Sequence, residues 1–257
     1  MRVLVTGAGG FIGSHLCPAL AAAGHELRAS VEGCDAVVHL ANIAHTSASA
    51  ADLQRVNVEG TIAQARAALA AGARRFVYLS SIKAAQPDDA YGRSKLRAEQ
   101  ALLGLANLEP VILRPPLVYG PRVKANFLAL LRAVDRGWPL PLASIENRRS
   151  LVYVGNLVDA ILACLGGPAQ GRTYAVSDGA PVSTPQLCRA IGRALGRPAR
   201  LFPFPGGLLR LAPGLARLAQ SQETDDRAIR AELGWRAPFS LEEGLRLTAQ
   251  WYRAQGG

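Results

Sequence analysis

The sequence predicts an α/β fold in which a doubly wound parallel sheet carries a small C-terminal lobe. Three observations support this prediction. Short apolar strands alternate with amphipathic helices through the first half of the chain, a glycine-rich turn joins the first strand directly to the first helix, and the alternation loosens after about residue 120. Alternating strands and helices are typical of βαβ units, whose strands pair in parallel.

The spacing of the apolar residues predicts the individual elements. Strands are expected at residues 3–6, 26–29, 36–40, 76–79, 110–113 and 173–176. Helices are expected at residues 11–23, 52–71, 91–103, 125–136, 156–165, 225–233 and 241–253. One more helix is expected from Ser183 to about residue 195, because Ser183-Thr184-Pro185 combines an N-cap residue with a proline in the first turn.

Composition excludes several classes of protein. The 257 residues are 49% hydrophobic, which suffices for a core and excludes a disordered chain. Because no apolar run reaches the ~20 residues of a membrane span and the chain starts in a strand pattern rather than a leader, we expect a cytoplasmic protein with no membrane partner. The net charge of +10 comes from scattered residues, so a small anionic substrate is expected rather than a nucleic acid.

The cysteines and histidines do not predict a metal site. Their spacing matches no zinc or redox pattern, so buried thiols are expected at Cys17, Cys34, Cys164 and Cys188. His39 falls within a predicted strand, and we expect it to pack in the core.

A glycine-rich segment lies between the first predicted strand and the first helix. Gly7, Gly10 and Gly13 form a G-x-x-G-x-x-G pattern there. The first glycine permits a tight turn, the second lets a pyrophosphate approach the backbone, and the third lets helix and strand pack closely. The helix N-terminus then faces the phosphates, so the segment predicts a dinucleotide-binding loop.

Tyr91 and Lys95 are four residues apart on a predicted helix and therefore share one face. A tyrosine that acts as a general base needs its pKa lowered from about 10 towards 7, which a nearby ammonium group does by stabilising the phenolate. This pattern is common on solvated helices, but here it follows a dinucleotide loop and a strand that ends in Leu79-Ser80-Ser81. The combination predicts a proton-transfer site.

These motifs occur with others in an order that resembles the extended short-chain dehydrogenases/reductases, specifically the NAD-dependent epimerase/dehydratase family. The segments that carry the resemblance are TGAGGFIG (6–13), HLAN (39–42), NVEGT (57–61), LSSIK (79–83), YGRSK (91–95) and RPPLVYGP (114–121). VKANF (123–127), NRRSLVYVGNLVDAI (147–161) and ELGW (232–235) are similar to the nucleotide-sugar branch, in particular bacterial UDP-hexose and UDP-N-acetylhexosamine 4-epimerases and 4-ketoreductases of surface-polysaccharide pathways.

The resemblance implies a Rossmann-type NAD(P)-binding domain, residues 1–122 and 150–178, and a substrate-binding lobe, residues 123–149 and 179–257. It implies that Tyr91 is the general base, that Lys95 lowers its pKa and binds the nicotinamide ribose, and that Ser81 hydrogen-bonds the reacting sugar oxygen. The remaining residues that it assigns to the cofactor are Gly7, Gly10, Phe11, Ile12 and Gly13 at the pyrophosphate, Leu40 and Ala41 at the adenosine, and Asn57, Ser80 and Pro115.

For Asn57 a polar helix-capping role is the alternative. In the lobe, the resemblance assigns Asn126 and Arg149 to the UDP diphosphate, which a planar guanidinium can bind at two oxygens. It also implies a homodimer formed by the helix after Asn57 and the Tyr91 helix, with small residues on the first of these helices.

The residues after Ser81 narrow the chemistry. The family's 4,6-dehydratases carry Asp-Glu there, whereas this chain has Ile82-Lys83. The expected reaction is therefore reversible hydride transfer at C4 of a UDP-sugar, by a 4-epimerase or, as the alternative, a 4-ketoreductase. A non-catalytic NAD(P)-binding regulator of the same fold is a third hypothesis, which the intact Ser81, Tyr91 and Lys95 set disfavours.

The second predicted strand departs from the family in two ways. It ends in Leu27-Arg28-Ala29-Ser30 without an acidic ribose ligand, so NAD is expected on resemblance alone and NADP is the alternative. Only residues 31–35 precede the next strand, and five residues span at most about 18 Å, whereas a parallel crossover usually needs a dozen or more residues. The segments near residues 85–87 and 220–222 are also shorter than the family pattern, by fewer residues. We expect that the sequence lacks mobile loops at these three places. The alternative is a natural deletion that rebuilds the adenine pocket.

Overall fold

The computed structural model describes residues 1–43, 48–205 and 218–256. In chain order, the strands are β1 (Arg2–Thr6), β2 (Glu26–Arg28), β3 (Ala36–His39), β4 (Arg75–Leu79), β5 (Glu109–Arg114), β6 (Leu117–Tyr119), β7 (Leu151–Tyr153) and β8 (Arg172–Ala175). The helices are α1 (Gly13–Ala22), α2 (Ala50–Leu53), α3 (Thr61–Ala70), α4 (Ala90–Leu103), α5 (Ala125–Asp135), α6 (Val154–Gly166), α7 (Thr184–Ala194), α8 (Arg227–Leu233) and α9 (Leu241–Ala254).

The chain divides into two compact units. The first comprises Met1–Pro116, Leu157–Val176 and Asp225–Arg236, and the second comprises Leu117–Asn156, Ser177–Thr224 and Ala237–Gly257. Each unit is therefore assembled from three separate stretches of chain.

A six-stranded parallel sheet in the order β2-β1-β3-β4-β5-β8 forms the centre of the first unit. All six predicted strands are present, and each end agrees to within one residue. Every residue of β3 is buried, as expected for a parallel sheet covered on both faces. The predicted α/β fold with a Rossmann-type sheet is confirmed.

The single helix predicted at residues 52–71 is wrong in detail, because the structure divides it into α2, a π-helical segment Gln54–Gly60, and α3. A π-helix, with hydrogen bonds from residue i to residue i+5, is rare and is frequently found at functional sites. Ser49 caps the start of α2 by accepting a hydrogen bond from the Asp52 amide. The π-helical segment carries Asn57, which is fully buried.

The crossover from β2 to β3 uses only the residues between Arg28 and Ala36. The two strands lie on opposite sides of β1, so the chain crosses two strand spacings, roughly 10 Å. This short link suffices for a parallel crossover, because β2 has only three residues and little return along the sheet is needed. That the sequence lacks mobile loops here stays a prediction. The Asp35 amide donates to Arg2 O (2.8 Å), while the Asp35 carboxylate accepts from the Arg2 amide (2.7 Å) and guanidinium (2.8 Å).

The second unit contains a small parallel sheet that the sequence analysis did not predict. Strands β6 and β7 are the same tripeptide, Leu-Val-Tyr, and they pair in register so that Tyr119 lies opposite Tyr153. The Tyr119 ring stacks on Phe127 of α5 at 5.2 Å between centroids. The predicted Ser183 cap is confirmed, because Ser183 and Gln186 form a capping box at the start of α7.

Two further findings concern the described residues, 1–43, 48–205 and 218–256. No helix in these ranges is both long and apolar enough to cross a membrane, and no cluster of three or more His, Cys, Asp or Glu side chains there could hold a metal ion. The four cysteines are unpaired, and Cys34, Cys164 and Cys188 are buried as expected. The expectation is wrong for Cys17, which is partly exposed because it lies on helix α1 away from the residues that the helix buries.

Candidate active site

The glycine-rich turn packs its backbone against the end of β3 and the start of α1. Gly7 has a φ of +74°, and a Cβ there would lie 2.9 Å from the Ala41 amide nitrogen. A Cβ at Gly13 would lie 2.5 Å from the carbonyl oxygens of Gly7 and Ala8. The Gly10 amide closes the turn by donating to the Gly7 oxygen (2.9 Å). Glycine is therefore required sterically at positions 7 and 13.

This geometry fits the pyrophosphate of a dinucleotide. No side chain caps α1 at Ile12, and the Ser14 and His15 amides of its first turn donate to the carbonyl oxygens of Gly10 (2.9 Å) and Ile12 (3.0 Å). The N-terminus of α1 therefore has no side-chain acceptor in the place that a phosphate group would take. Phe11 and Ile12 lie in the turn itself, and Leu40 and Ala41 follow β3 directly beside Gly7. The structure thus brings together the seven residues that the sequence analysis assigned to the pyrophosphate and the adenosine.

His39 connects the strand beside this turn to helix α3. Its Nδ1 lies 2.8 Å from Thr6 Oγ1 and its Nε2 lies 3.1 Å from Thr61 Oγ1, and the residue is 4% exposed. Burial, together with the positive charge of Lys95, lowers the pKa of His39 to about 4. His39 is therefore a neutral core residue at pH 7, which confirms the packing role expected for it.

Ser81, Tyr91 and Lys95 come together at the carboxyl ends of β4 and β5. Ser81 precedes the short 3₁₀ turn Ile82–Ala84 after β4 and accepts a hydrogen bond from the Lys83 amide (3.3 Å). The Ser81 side chain also interacts with Tyr91, whose pKa it lowers. The Lys95 Nζ lies 6.0 Å from the centre of the Tyr91 ring and donates to the carbonyl oxygen of Leu79 (2.8 Å). The three side chains therefore form one cluster, as the spacing of Tyr91 and Lys95 predicts.

Two contacts fix the start of α4 against the 3₁₀ turn. Asp89 caps the helix by accepting from the Gly92 amide (2.7 Å), and it pairs with Lys83 Nζ (2.5 Å). A Cβ at Gly92 would lie 2.6 Å from the carbonyl oxygen of Lys83. The cap, the ion pair and the close packing fix the distance between the segment that carries Ser81 and the helix that carries Tyr91.

The electrostatics of Tyr91 differ from the expectation. Burial raises the pKa of Tyr91 to about 12. The interaction with Ser81 lowers this pKa by a smaller amount, and the Asp89 charge raises it. Burial also lowers the pKa of Lys95 to about 7, against the raising effect of Glu99. Lys95 is thus only partly charged near pH 7, so its ammonium alone does not produce the low Tyr91 pKa that the sequence analysis expected.

A buried ionic group adjoins the cluster, and the sequence analysis missed it. The Glu99 carboxylate is 2% exposed, accepts a hydrogen bond from Ser80 Oγ, and pairs with the Arg114 guanidinium through both of its oxygens. Glu99 follows Lys95 by four residues, so a charged residue on the apolar face of α4 was the signal that could have identified it. Pro115, at the end of β5, accepts from the Ile82 amide (3.1 Å) and is buried beside this group.

Asn57 joins three segments behind the cluster. Its Oδ1 accepts from the Ile43 amide (2.8 Å), and its Nδ2 donates to the Ile43 carbonyl oxygen and to Ser94 Oγ, both at 3.1 Å. Ser94 in turn donates to the Tyr91 carbonyl oxygen (2.8 Å). Asn57 is therefore not a helix cap, and it ties the π-helical segment to the helix that carries Tyr91.

Asn126 and Arg149 lie in the second unit. Asn126 is exposed in the first turn of α5. Arg149 forms paired backbone hydrogen bonds with Val182, its side chain contacts the Gln220 carbonyl oxygen (3.5 Å), and burial lowers its pKa. Arg149 also lines a small cavity of about 30 Å³ together with Leu151, Asp178, Ala180, Val182 and Leu241.

The fold and these motifs define a dinucleotide-binding α/β enzyme, and comparison with known proteins identifies the family. The model described as "NAD dependent epimerase/dehydratase family" matches residues 3–31 and 26–177. The chain belongs to this NAD-dependent family and is an enzyme of it. The match breaks at residues 26–31, where the sequence analysis finds the chain shorter than its relatives.

The UDP-glucose 4-epimerase of Vibrio cholerae is 39% identical over 247 residues, covering 83% of this chain and 75% of that protein. A structure of a UDP-glucose 4-epimerase from Thermotoga maritima with UDP-glucose superimposes with a TM-score of 0.81 at 23% identity over the full length of both chains. RMD from Pseudomonas aeruginosa, complexed with NADPH, has a TM-score of 0.79 at 22% identity and 99% coverage of both chains. The structural similarity confirms the fold, and a nicotinamide dinucleotide is the cofactor of the family.

Proposed function

We propose that this chain is an NAD(P)-dependent UDP-sugar 4-epimerase that acts on a UDP-hexose or UDP-N-acetylhexosamine. The observation that carries the proposal is the cluster in which the half-buried Tyr91 lies beside both Ser81 and Lys95. The 39% identity to a UDP-glucose 4-epimerase supports the substrate class. The first unit is assigned to the cofactor and the second to the nucleotide sugar.

In the proposed reaction, Tyr91 Oη accepts the proton of the C4 hydroxyl group while Ser81 Oγ hydrogen-bonds the same sugar oxygen. When bound, the nicotinamide ring supplies a reversible hydride acceptor for C4 and, in its oxidised form, a positive charge that favours the Tyr91 phenolate. Lys95 would hold the nicotinamide ribose. Inversion at C4 would require reduction of the 4-keto sugar on its opposite face, for which Tyr91 would give back the proton.

The residues after Ser81 argue against a dehydration reaction. Ile82 carries no titratable group, and the Lys83 ammonium is paired with Asp89. Elimination of water across C5 and C6 requires an acid and a base at these positions in addition to the tyrosine. Hydride transfer at C4 remains the reaction that Ser81, Tyr91 and Lys95 can support.

The test is incubation of the protein and NAD with UDP-glucose, UDP-GlcNAc and their C4 epimers, with the products identified by NMR. Interconversion of a C4 pair is the expected result. Reduction of a 4-keto nucleotide sugar by NADPH without interconversion would instead establish the 4-ketoreductase. Cofactor binding without any turnover would overturn the proposal in favour of a regulator.

Asn126 and Arg149 are proposed to hold the UDP diphosphate. Arg149 supports this role because it is partly withdrawn from solvent, which strengthens a charge-assisted bond to phosphate. Arg148 beside it has a more exposed side chain and pairs with Glu223 at 3.0 Å. The pair therefore offers a matched comparison between a recognition arginine and a surface arginine.

A homodimer is proposed through α3 and α4. Ala63, Ala67 and Ala70 of α3 are exposed, whereas Ala65 and Ala68 pack in the core of the first unit. Small exposed residues on one helix allow a second helix to approach closely. Sedimentation should give twice the mass of one chain at micromolar concentration, and a monomer would contradict this assignment.

A further inference from the structure

Lys95 is fully buried, and the groups that its Nζ contacts directly are uncharged. Its Nζ donates to the Leu79 carbonyl oxygen (2.8 Å) and lies 4.6 Å from the centre of the Tyr78 ring. A carbonyl dipole and a ring face compensate an ammonium group only in part, and burial therefore favours its neutral form. The charge of Lys95 depends on what else is buried nearby.

Glu99 lies one helical turn further along the same face of α4. Of the described carboxylates it has the smallest exposed fraction, 2%. The Arg114 guanidinium contacts both of its oxygens, which is the geometry of an ionised carboxylate. Ser80 Oγ donates to one of these oxygens and thereby connects Glu99 to the residue preceding Ser81.

Among the titratable groups that surround Lys95, Glu99 is the group that supplies a negative charge, because the others are neutral or positive. Tyr91 on α4 is neutral at pH 7, His39 on β3 is neutral because its pKa is about 4, and Tyr78 on β4 presents its ring. Arg114 on β5 is a permanent cation and acts against a charged lysine.

We propose that Glu99 is a positioning residue of this site, whose carboxylate fixes Ser80 and supplies the buried negative charge that favours the protonated form of Lys95. The catalytic meaning of this charge rests on the proposed function, since a charged Lys95 stabilises the Tyr91 phenolate. The charge itself is a property of the protein alone and can be measured without turnover.

The alternative is that Glu99 only neutralises Arg114 and that Lys95 is insensitive to both. Two variants distinguish these possibilities because they change the field in opposite directions. Glu99→Gln removes the negative charge and retains an acceptor of similar size, so the Lys95 titration midpoint should fall. Arg114→Met removes a positive charge from the same pair, so the midpoint should rise.

The experiment uses the lysine side-chain NMR signals of the cofactor-free protein, labelled at 13Cε and 15Nζ. The chain contains three lysines, Lys83, Lys95 and Lys124, so Lys83→Gln and Lys124→Gln suffice to assign every signal. In Glu99→Gln the Lys95 midpoint should fall by about one pH unit, a roughly tenfold loss of proton affinity. Glu99→Asp should recover part of this loss, and the Lys83 and Lys124 signals should not move.

Glu109→Gln is the matched control, because Glu109 pairs with Arg75 (3.5 Å) on the same sheet and its side chain is 39% exposed. It should leave Lys95 unchanged. An unchanged Lys95 midpoint in folded Glu99→Gln would overturn the proposal. Should that variant fail to fold, a midpoint in Arg114→Met that is unchanged or lower would overturn it equally. Absence of sugar turnover in the wild type would refute the proposed function and leave this measurement intact.

Discussion

The two units each withdraw a carboxylate from water, but they stabilise it differently. In the first unit, Glu99 pairs with Arg114 and accepts from Ser80. In the second unit, the partners of Asp178 that donate hydrogen bonds include three uncharged groups, the Tyr119 hydroxyl (2.9 Å), the Tyr153 amide (2.8 Å) and Asn156 Nδ2 (2.7 Å). Burial raises the pKa of Asp178 despite these bonds.

This difference separates two uses of a buried acid. An acid paired with arginine retains its charge and can act on a neighbouring titratable group, which suits the unit that carries Tyr91 and Lys95. An acid surrounded by neutral donors instead connects segments that are distant in sequence, here β6, β7 and the first turn of α6. We therefore expect changes in the first unit to affect chemistry and changes around Asp178 to affect stability.

The largest expected effect is on turnover in the first unit. Tyr91→Phe removes the oxygen that accepts the proton, so kcat should fall by about 10²-fold or more, while NAD binding should remain near the wild-type value. Stopped assays of C4 interconversion and titration of NAD check the two parts. If the variant retains more than about a tenth of wild-type kcat, Tyr91 is not the base, because loss of a general base should lower kcat by a larger factor.

Substitutions of Asp178 in the second unit should lower the free energy of unfolding. Asp178→Ala leaves the Tyr153 amide without its carboxylate acceptor. It also removes one of two acceptors from the Tyr119 hydroxyl and from Asn156 Nδ2, which retain the Leu241 and Phe239 carbonyl oxygens. The loss of these bonds to a buried carboxylate should cost about 3 kcal/mol of unfolding free energy. Asp178→Asn should cost less, because its oxygen still accepts from Tyr153 and Asn156 and the Tyr119 hydroxyl can rotate to accept from the new amide. Urea titration of both variants tests the order, and equal losses would show that the charge of Asp178 matters more than its geometry.

Binding of the nucleotide tests whether the second unit also has a recognition role. Arg149→Ala should weaken UDP binding by about 1.5–3 kcal/mol, a roughly 10- to 150-fold rise in Kd. Arg148→Ala, one residue away and paired with Glu223, is the control and should change Kd little. Calorimetry with UDP gives both values, and an unchanged Kd for Arg149→Ala would remove this residue from the site.

The smallest expected effect is a difference in the pH dependence of stability. The pKa of His39 is lowered from 6.5 to about 4, so the unfolded chain binds the proton more readily and stability is lost as the pH falls through this window. Between pH 8 and pH 5 this amounts to about 2 kcal/mol. His39→Gln should be destabilised at pH 8 and lose less on acidification, which urea titrations at the two pH values would detect.

Asp178 contributes to the pH dependence of stability with the opposite sign. Its pKa is raised above 3.8, so the folded state binds the proton more readily and this group's contribution to stability falls as the pH rises above that value. Asp178→Asn removes this contribution to the pH dependence. If His39→Gln and Asp178→Asn shifted the pH dependence of stability in the same direction, the contrast between the two units would not hold.

The sequence predicted well those features that depend on residues close together in the chain. The six strands of the central sheet, the glycine turn and the shared face of Tyr91 and Lys95 all follow from periods of two to four residues or from a strand followed directly by a helix. The Ser183 cap belongs to the same class.

Features that depend on distant pairs were decided only by the tertiary structure. Strands β6 and β7 are three residues each and carry no alternation to detect, so they become a sheet only when residues 117–119 meet residues 151–153. Glu99 meets Arg114 and Ser80 across 15 and 19 positions, and Tyr119 meets Asp178 across 59. The short β2–β3 crossover likewise became possible only because β2 stops after three residues on the far side of β1. Local propensity decides which segments form, but the pairing of buried charges and of short strands depends on which surfaces the folded chain brings together.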